Sequence, residues 1–203
     1  GAAFLIDAAD GVVEISRAAM TKMISSGQDV RGGAISILHG NVTLKDSSIS
    51  ASAATSVEGT AYGGAIFSAD TLTVSGSKIT KNTATAPNAR GGAIFSDIEA
   101  TLTIRSKSVV DSNTARGIDG ARGVNGAKGA NGAKGEPGED GESGGPGEDG
   151  TDGGNAGSAI AGGIFHDGVV FTLVESSVSG NLALGGNGGS GGNGGTGGAG
   201  GAG

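Results

Sequence analysis

The chain has 203 residues, a formal net charge of −7 and 45 glycines, yet it contains no cysteine and only five phenylalanines. The absence of cysteine excludes disulfides and thiolate metal sites, and the negative charge argues against nucleic acid as a partner. No run approaches the roughly 18 apolar residues of a membrane-spanning helix, so we expect no membrane span.

A repeated segment begins with a Gly-Gly pair and a short apolar strand. Copies begin at Gly32, Gly63 and Gly91 as GGAI and at Gly162 as GGIF, and a more divergent copy precedes them. The first three starts are 31 and 28 residues apart. Self-similarity of this kind is typical of solenoids, in which each repeat buries its apolar face against the next.

Within each copy, apolar residues alternate with Thr or Ser, as in Leu72-Thr73-Val74, and this pattern predicts a strand with one buried face. Another aliphatic residue follows, such as Ile79, and three residues beyond it an asparagine, such as Asn82. We expect the asparagines to stack as an amide ladder and the glycine pairs to form a corner where a Cβ atom would clash. The predicted structural residues are Gly32, Gly33, Gly63, Gly64, Gly91, Gly92, Gly162, Gly163, Asn82, Asn113 and Asn181.

These patterns predict an all-β protein, namely a right-handed parallel β-helix of about 4–5 coils that carries Gly-X-Y arms in the polyglycine-II or polyproline-II conformation. The predicted boundaries are 1–116 for the first β-helix coils, 117–157 for a Gly-X-Y insertion, 158–184 for a returning coil and 185–203 for a Gly-Gly-X tract.

The insertion carries glycine at every third position from Gly117 to Gly153. A collagen triple helix, a polyglycine-II bundle and a disordered loop share this composition. The basic residues occupy the first half and all acidic residues except Asp119 the second, so a reversal near Gly135 would set opposite charges side by side. A further triplet tract follows at 185–203, with two glycines in every three residues. These features favour the bundle, while collagen and disorder stay open as alternatives.

The Gly-Gly motifs are coupled to aliphatic-x-x-Asn sequences, such as ITKN at residues 79–82. Together they resemble the repeats of chlamydial polymorphic outer-membrane proteins, although Ile or Val stands here in place of the Phe of Phe-x-x-Asn. The resemblance covers roughly residues 30–115 and 160–184. It implies a secreted or surface-displayed bacterial β-helix, often with an adhesive role.

The coil faces show no arrangement that would support catalysis. Their charges do not recur in register, His39 and His166 fall at different points of their copies, and no G-x-S-x-G, Walker or H-E-x-x-H motif occurs. One calcium-type G-G-x-G-x-D sequence occurs at residues 144–149, so Asp149 and Asp152 are candidate Ca²⁺ ligands. A solvated acidic arm is the favoured interpretation of these carboxylates, and no other cofactor is expected. An ice-binding role would need a regular threonine ladder, and the sequence indicates that this ladder is missing.

We therefore expect an extracellular or cell-surface structural protein without enzymatic activity. Open β-helix ends are unpaired sheet edges that invite addition of further copies, so the expected partner is the protein itself, in a fibre, sheath or matrix built end to end or laterally. The alternatives are an adhesin for a host surface or glycan and, less favoured, a polysaccharide-acting enzyme.

Overall fold

The computed structural model describes residue 2 and residues 4–202, and these contain strands but no α-helix. Within this part of the chain, no helix is long and apolar enough to cross a membrane. The strands are β1 (Phe4–Ser16), β2 (Ala19–Thr21), β3 (Ile24–Ser26), β4 (Val30–Arg31), β5 (Ile35–Lys45), β6 (Ser48–Ser50), β7 (Ala53–Thr55), β8 (Thr60–Tyr62), β9 (Ile66–Ser68), β10 (Thr71–Ser75), β11 (Lys78–Thr80), β12 (Thr83–Ala86), β13 (Asn88–Arg90), β14 (Ile94–Ser96), β15 (Thr101–Arg105), β16 (Val109–Asp111), β17 (Thr114–Gly117), β18 (Ser158–Ile160), β19 (Ile164–His166), β20 (Val170–Leu173), β21 (Ser177–Ser179) and β22 (Leu182–Leu184).

Successive turns of the chain add strands to the same four sheets. The first sheet has the order β19-β14-β9-β5-β10-β15-β20, with β1 beside β5. The others have the orders β2-β6-β11-β16-β21, β22-β17-β12-β7-β3 and β18-β13-β8-β4. Neighbours are parallel, as in Leu72 opposite Leu102. The predicted all-β parallel β-helix is thus confirmed, as a solenoid of about four turns.

Stacked aliphatic side chains fill most of the solenoid interior. Leu72 and Leu102 are 1% and 0% exposed, and Ile79 and Val110, which pair between β11 and β16, are both fully buried. Each such side chain contributes roughly 1.5–3 kcal/mol by leaving water. A second buried cluster is built mainly of alanines, among them Ala54, Ala84 and Ala115. The chain thus builds its interior from aliphatic columns and small residues.

The Gly-Gly pairs occupy corners where a side chain has no room. The first glycine of three pairs has a left-handed backbone, with φ of +68° at Gly32, +72° at Gly63 and +67° at Gly91. A Cβ atom on Gly64 would collide with the carbonyl oxygen of Gly92 in the next coil. Glycine is therefore required at both places, for its φ angle at one and for close backbone approach at the other.

The chain divides into two compact units. The solenoid unit comprises the described residues up to Ile118 together with Gly157–Gly186, and the triplet unit comprises Asp119–Ala156 together with the described residues from Asn187 onward. In the triplet unit we distinguish an outbound segment (119–135), a return segment (139–156) and a Gly-Gly segment (187–202).

The triplet unit reverses direction at a tight turn one residue beyond Gly135. The backbone N–H of Glu139 donates to the carbonyl of Glu136 at 2.8 Å, and Gly138 has a φ of +94°. Pro137 and Gly138 thus occupy the two central positions that a type II turn favours.

A ring of backbone hydrogen bonds joins the three segments. The outbound segment donates to the Gly-Gly segment in parallel, as from Gly126 to Asn193 and from Gly129 to Thr196, at 2.8 and 2.9 Å. The return segment donates to the outbound segment in antiparallel direction, as from Glu148 to Ala127 at 2.9 Å. The Gly-Gly segment donates to the return segment, as from Gly192 to Thr151 at 2.8 Å. One antiparallel segment distinguishes this arrangement from collagen, whose three chains are all parallel.

Candidate assembly surface at the open end of the solenoid

The interior apolar columns continue into the last coil, where they are left uncovered. Phe171 pairs with Leu102, and Leu173 pairs with Ile104. The inner partner of each pair is fully buried, whereas Phe171 and Leu173 are 46% and 44% exposed. Val178, which continues the same interior from the second sheet, is 39% exposed. Strand pairing thus assigns these three side chains to the interior, but they are exposed to solvent because no further coil covers them.

These side chains line an open cavity of about 580 Å³ at the end of the solenoid. Its walls come from Ile164, Phe171, Leu173 and Val178, with His166 and Asn181 beside them. The lining is mainly apolar, which is unusual for a surface hollow in contact with water. A complementary apolar partner would complete the packing that the other coils already have.

The backbone at this end is also available for pairing. β19, β20, β21 and β22 each stand at the end of their sheet and pair on one side only among the described residues. A strand edge of this kind presents a row of N–H and C=O groups that can template another strand. The end therefore offers both apolar side chains and backbone hydrogen-bonding groups.

The first coil shows the complementary arrangement. Phe4, Ile6, Val13 and Ile15 lie opposite buried residues of β5, so they too are interior by register. Phe4 is 49% exposed, and Ile6, Val13 and Ile15 are partly buried against the core. β2, β3 and β4 are likewise the end strands of their sheets. Because every pairing is parallel, this edge has the direction needed to continue the last coil of another copy.

The asparagines form a hydrogen-bonded column at one corner. The backbone N–H and side-chain Nδ2 of Asn82 both donate to Oδ1 of Asn113 at 2.9 Å. Asn113 donates in the same way to Asn181 at 2.9 Å. Ser52 begins the column, and its backbone N–H donates to Asn82. The column ends at the open end with Asn181.

A second polar column, which is not predicted from the sequence, runs along the other end of the strands of the second sheet. The backbone N–H groups of Ser47, Ser77 and Ser108 donate to the hydroxyls of Ser77, Ser108 and Ser176 at 3.0–3.1 Å. These serines stand two residues before the inward aliphatic of each copy. That fixed offset is the signal that could have identified them, although serine is common in turns for other reasons.

An aromatic stack is likewise not predicted from the sequence. The rings of Phe67 and Phe95 are stacked with centroids 5.7 Å apart, and those of Phe95 and Phe165 are 5.1 Å apart. The Arg31 and Arg90 guanidinium groups lie over Phe67 and Phe165, at 5.1 and 5.7 Å from the centroids. Each ring belongs to the GGAIF or GGIF motif of a different coil, so the stack stabilises the packing of successive coils.

Two histidines and two aspartates of the solenoid unit make local hydrogen bonds. His39 Nδ1 lies 2.7 Å from Asp7 Oδ1, and His166 Nδ1 lies 3.0 Å from the Ser96 hydroxyl. The Gly40 backbone N–H donates to Asp70 and holds the pKa of that carboxyl below its ordinary value. The Ser112 hydroxyl, followed by that of Ser179, lowers the pKa of Asp111. The Ser96 hydroxyl that contacts His166 belongs to a fully buried residue.

The predicted calcium ligands lie in the return segment. Asp149 and Asp152 are both exposed. Among residues 2 and 4–202, no group of three or more His, Cys, Asp or Glu side chains is arranged to hold a metal ion.

Comparison with known proteins gives no relative to set beside this geometry. No family model matches the chain, and neither a curated protein nor a solved structure is similar to it.

Proposed function

We propose that the protein is an extracellular structural subunit without enzymatic activity, which assembles end to end into a fibre, sheath or matrix at a cell surface. The observation that carries this proposal is the uncovered interior of the last coil. Phe171, Leu173 and Val178 have the register of core residues and yet face solvent. The resemblance of the Gly-Gly repeats to bacterial surface β-helix proteins supports the same location.

The occupant that fits the open end is the first coil of a second copy. Its Phe4, Val13 and Ile15 would cover the exposed side chains, and its β1–β4 would extend the four sheets in parallel. Burying the exposed remainder of each apolar side chain contributes roughly 1 kcal/mol, and the new backbone pairing adds to this. An interface between two different ends of the molecule does not close on two copies, so it propagates into a filament.

The triplet unit supports a structural role in a different way. Its hydrogen-bond ring, with glycine at each close approach, is the pattern expected of a polyglycine-II bundle. Gly126, Gly192 and their equivalents have no room for a Cβ atom. We infer that the unit is a stiff accessory of a structural protein.

A matched pair of valine substitutions tests the assembly. Val178→Lys places an ammonium group in the proposed interface, and the side chain can still reach solvent in the isolated subunit because the site is at the edge. Val57→Lys makes the same change at a mid-solenoid turn that is 72% exposed. Sedimentation velocity and light scattering over a concentration series should show large assemblies for the unmodified chain and for Val57→Lys, and monomers for Val178→Lys. Monomeric behaviour of the unmodified chain at high concentration would refute the proposal.

A further inference from the structure

Six threonines form a regular array on the outer face of the first sheet. β5, β10, β15 and β20 place Thr43, Thr73, Thr103 and Thr172 in one column, each directly opposite the next. Thr71 and Thr101 lie in the neighbouring column of the same face. The sequence hides this array, because the repeat spacing varies and residues 117–157 separate the last row from the others. We call these six residues the threonine face.

The threonine face points outward because its neighbours point inward. Leu72 and Val74 flank Thr73, Leu102 and Ile104 flank Thr103, and all four are at most 1% exposed. Side chains alternate across a strand, so the intervening threonines belong to the outer surface. The hydroxyls of the four-residue column have no hydrogen-bond partner within the described residues, whereas that of Thr71 lies 3.3 Å from Asp70.

The array repeats in two dimensions. Adjacent strands of a sheet are about 4.8 Å apart, and residues two apart along one strand are separated by about 6.7 Å. The four strands hold this register without a shift, unlike β1, which is irregular against β5. Every threonine offers a hydroxyl that donates and accepts, together with a methyl group, and its branched Cβ restricts the side-chain rotamer. The six threonines thus form a rigid lattice of alternating polar and apolar groups.

We propose that the threonine face binds the surface of ice. A repeating lattice of hydroxyl and methyl groups recognises a ligand that is itself a lattice, and the two repeats are close to those between oxygen atoms on a prism face of ice. The methyl groups order water into cages, while the hydroxyls anchor that water to the protein. The six threonines include no aromatic ring that could stack on a sugar, so the face does not suit a crystalline polysaccharide. Charged residues lie at its borders, with Glu14 opposite Thr43 at one end and Lys45 and Arg105 in the adjoining column. This inference is independent of the proposed assembly.

The experiment uses the full chain at a concentration where light scattering shows no assembly. A solution containing the protein and an inert reference protein is slowly frozen onto a cold surface, and the fraction of each protein in the ice is measured. Crystal shape and thermal hysteresis are recorded in parallel. We expect enrichment of this protein in the ice and faceted crystals. Exclusion from the ice to the level of the reference protein, or binding to cellulose or chitin in place of ice, would overturn the proposal.

Matched variants separate the array from the rest of the surface. Thr73→Lys places a long charged side chain in the centre of the array and should abolish enrichment. Thr85→Lys makes the same change in the same coil, at an outward position of β12, and should leave it intact. Thr73→Val removes one hydroxyl while keeping the shape and strand preference of the side chain, so it reports on the array if the lysine variant misfolds; enrichment should fall. Equal enrichment of the Thr73 variants and Thr85→Lys would refute the assignment to this face. Val178→Lys, which targets assembly alone, should still enter the ice.

Discussion

Removing the buried amide of Asn113 should destabilise the solenoid strongly. In Asn113→Ala, two fully buried donors of Asn82, its backbone N–H and its Nδ2, lose the acceptor that both reach at 2.9 Å. The carbonyls of Ile79 and Asp111 also lose the donor that they share, at 2.9 and 3.0 Å. An unsatisfied buried donor costs about 1–3 kcal/mol, so the two donors of Asn82 alone predict a loss of roughly 2–6 kcal/mol in the free energy of unfolding.

The same substitution at the open end provides the control. Asn181 accepts from Asn113 with the same geometry but is only partly buried, so water can replace its amide. Asn181→Ala should therefore cost about 1 kcal/mol or less. Urea unfolding followed by circular dichroism, at concentrations where the chain is monomeric, measures both. Equal losses for the two variants, or a loss below about 1 kcal/mol for Asn113→Ala, would refute the claim that buried amides in the column hold the coils together.

Three further predictions concern other parts of the chain. Gly192→Ala should loosen the triplet unit, because its Cβ would collide with the backbone of Val124, whereas Gly191→Ala should be tolerated, since its nearest neighbour is 3.7 Å away; hydrogen exchange of residues 119–156 would distinguish them. Ser52→Asn should extend the amide column and raise the urea concentration at the midpoint of unfolding. The Ser52 hydroxyl is buried without a partner among the described residues, whereas an amide at this position could donate to Asn82. An unchanged or lower midpoint would contradict this. The pKa of Asp70 is lowered in the folded chain, so its ionised form stabilises the fold at any pH above the pKa that Asp70 has in the unfolded chain. This contribution disappears as the pH falls through the pKa of Asp70 in the folded chain. The difference in stability between the unmodified chain and Asp70→Asn should therefore vanish in acid, and a difference that persists there would count against the prediction.

The repeated sequence pattern predicts the solenoid because its glycine pairs and its alternating apolar residues indicate the same structure. The Gly-Gly corner requires a positive φ or close backbone approach, as Gly63 and Gly64 show. Alternation of apolar residues with Thr or Ser defines one buried face. Both signals are local, so they can be read from a single sequence.

Other features depend on register between coils, which a single copy of the repeat does not display. The serine column through Ser77 and Ser108 consists of residues that are common in any turn. The threonine column becomes visible only when Thr172 is placed beside Thr103, across the insertion. Glycine at every third position suits parallel and antiparallel packing alike, so only the separation of basic and acidic residues indicates the reversal near Gly135.

The most direct test of head-to-tail assembly uses the absence of cysteine from the chain. In the proposed contact, β21 of one copy pairs with β2 of the next in the register of the second sheet, which sets Ser179 beside Thr21. Neighbouring strands lie about 4.8 Å apart, within the Cα separation that a disulfide spans. The double variant Thr21→Cys/Ser179→Cys should give, on oxidation, a ladder of covalent oligomers by non-reducing electrophoresis. The mismatched pair Ser26→Cys/Ser179→Cys, whose cysteines belong to different sheets, should not. Equal cross-linking of the two pairs, or no ladder from the matched pair, would contradict end-to-end continuation of the β-helix.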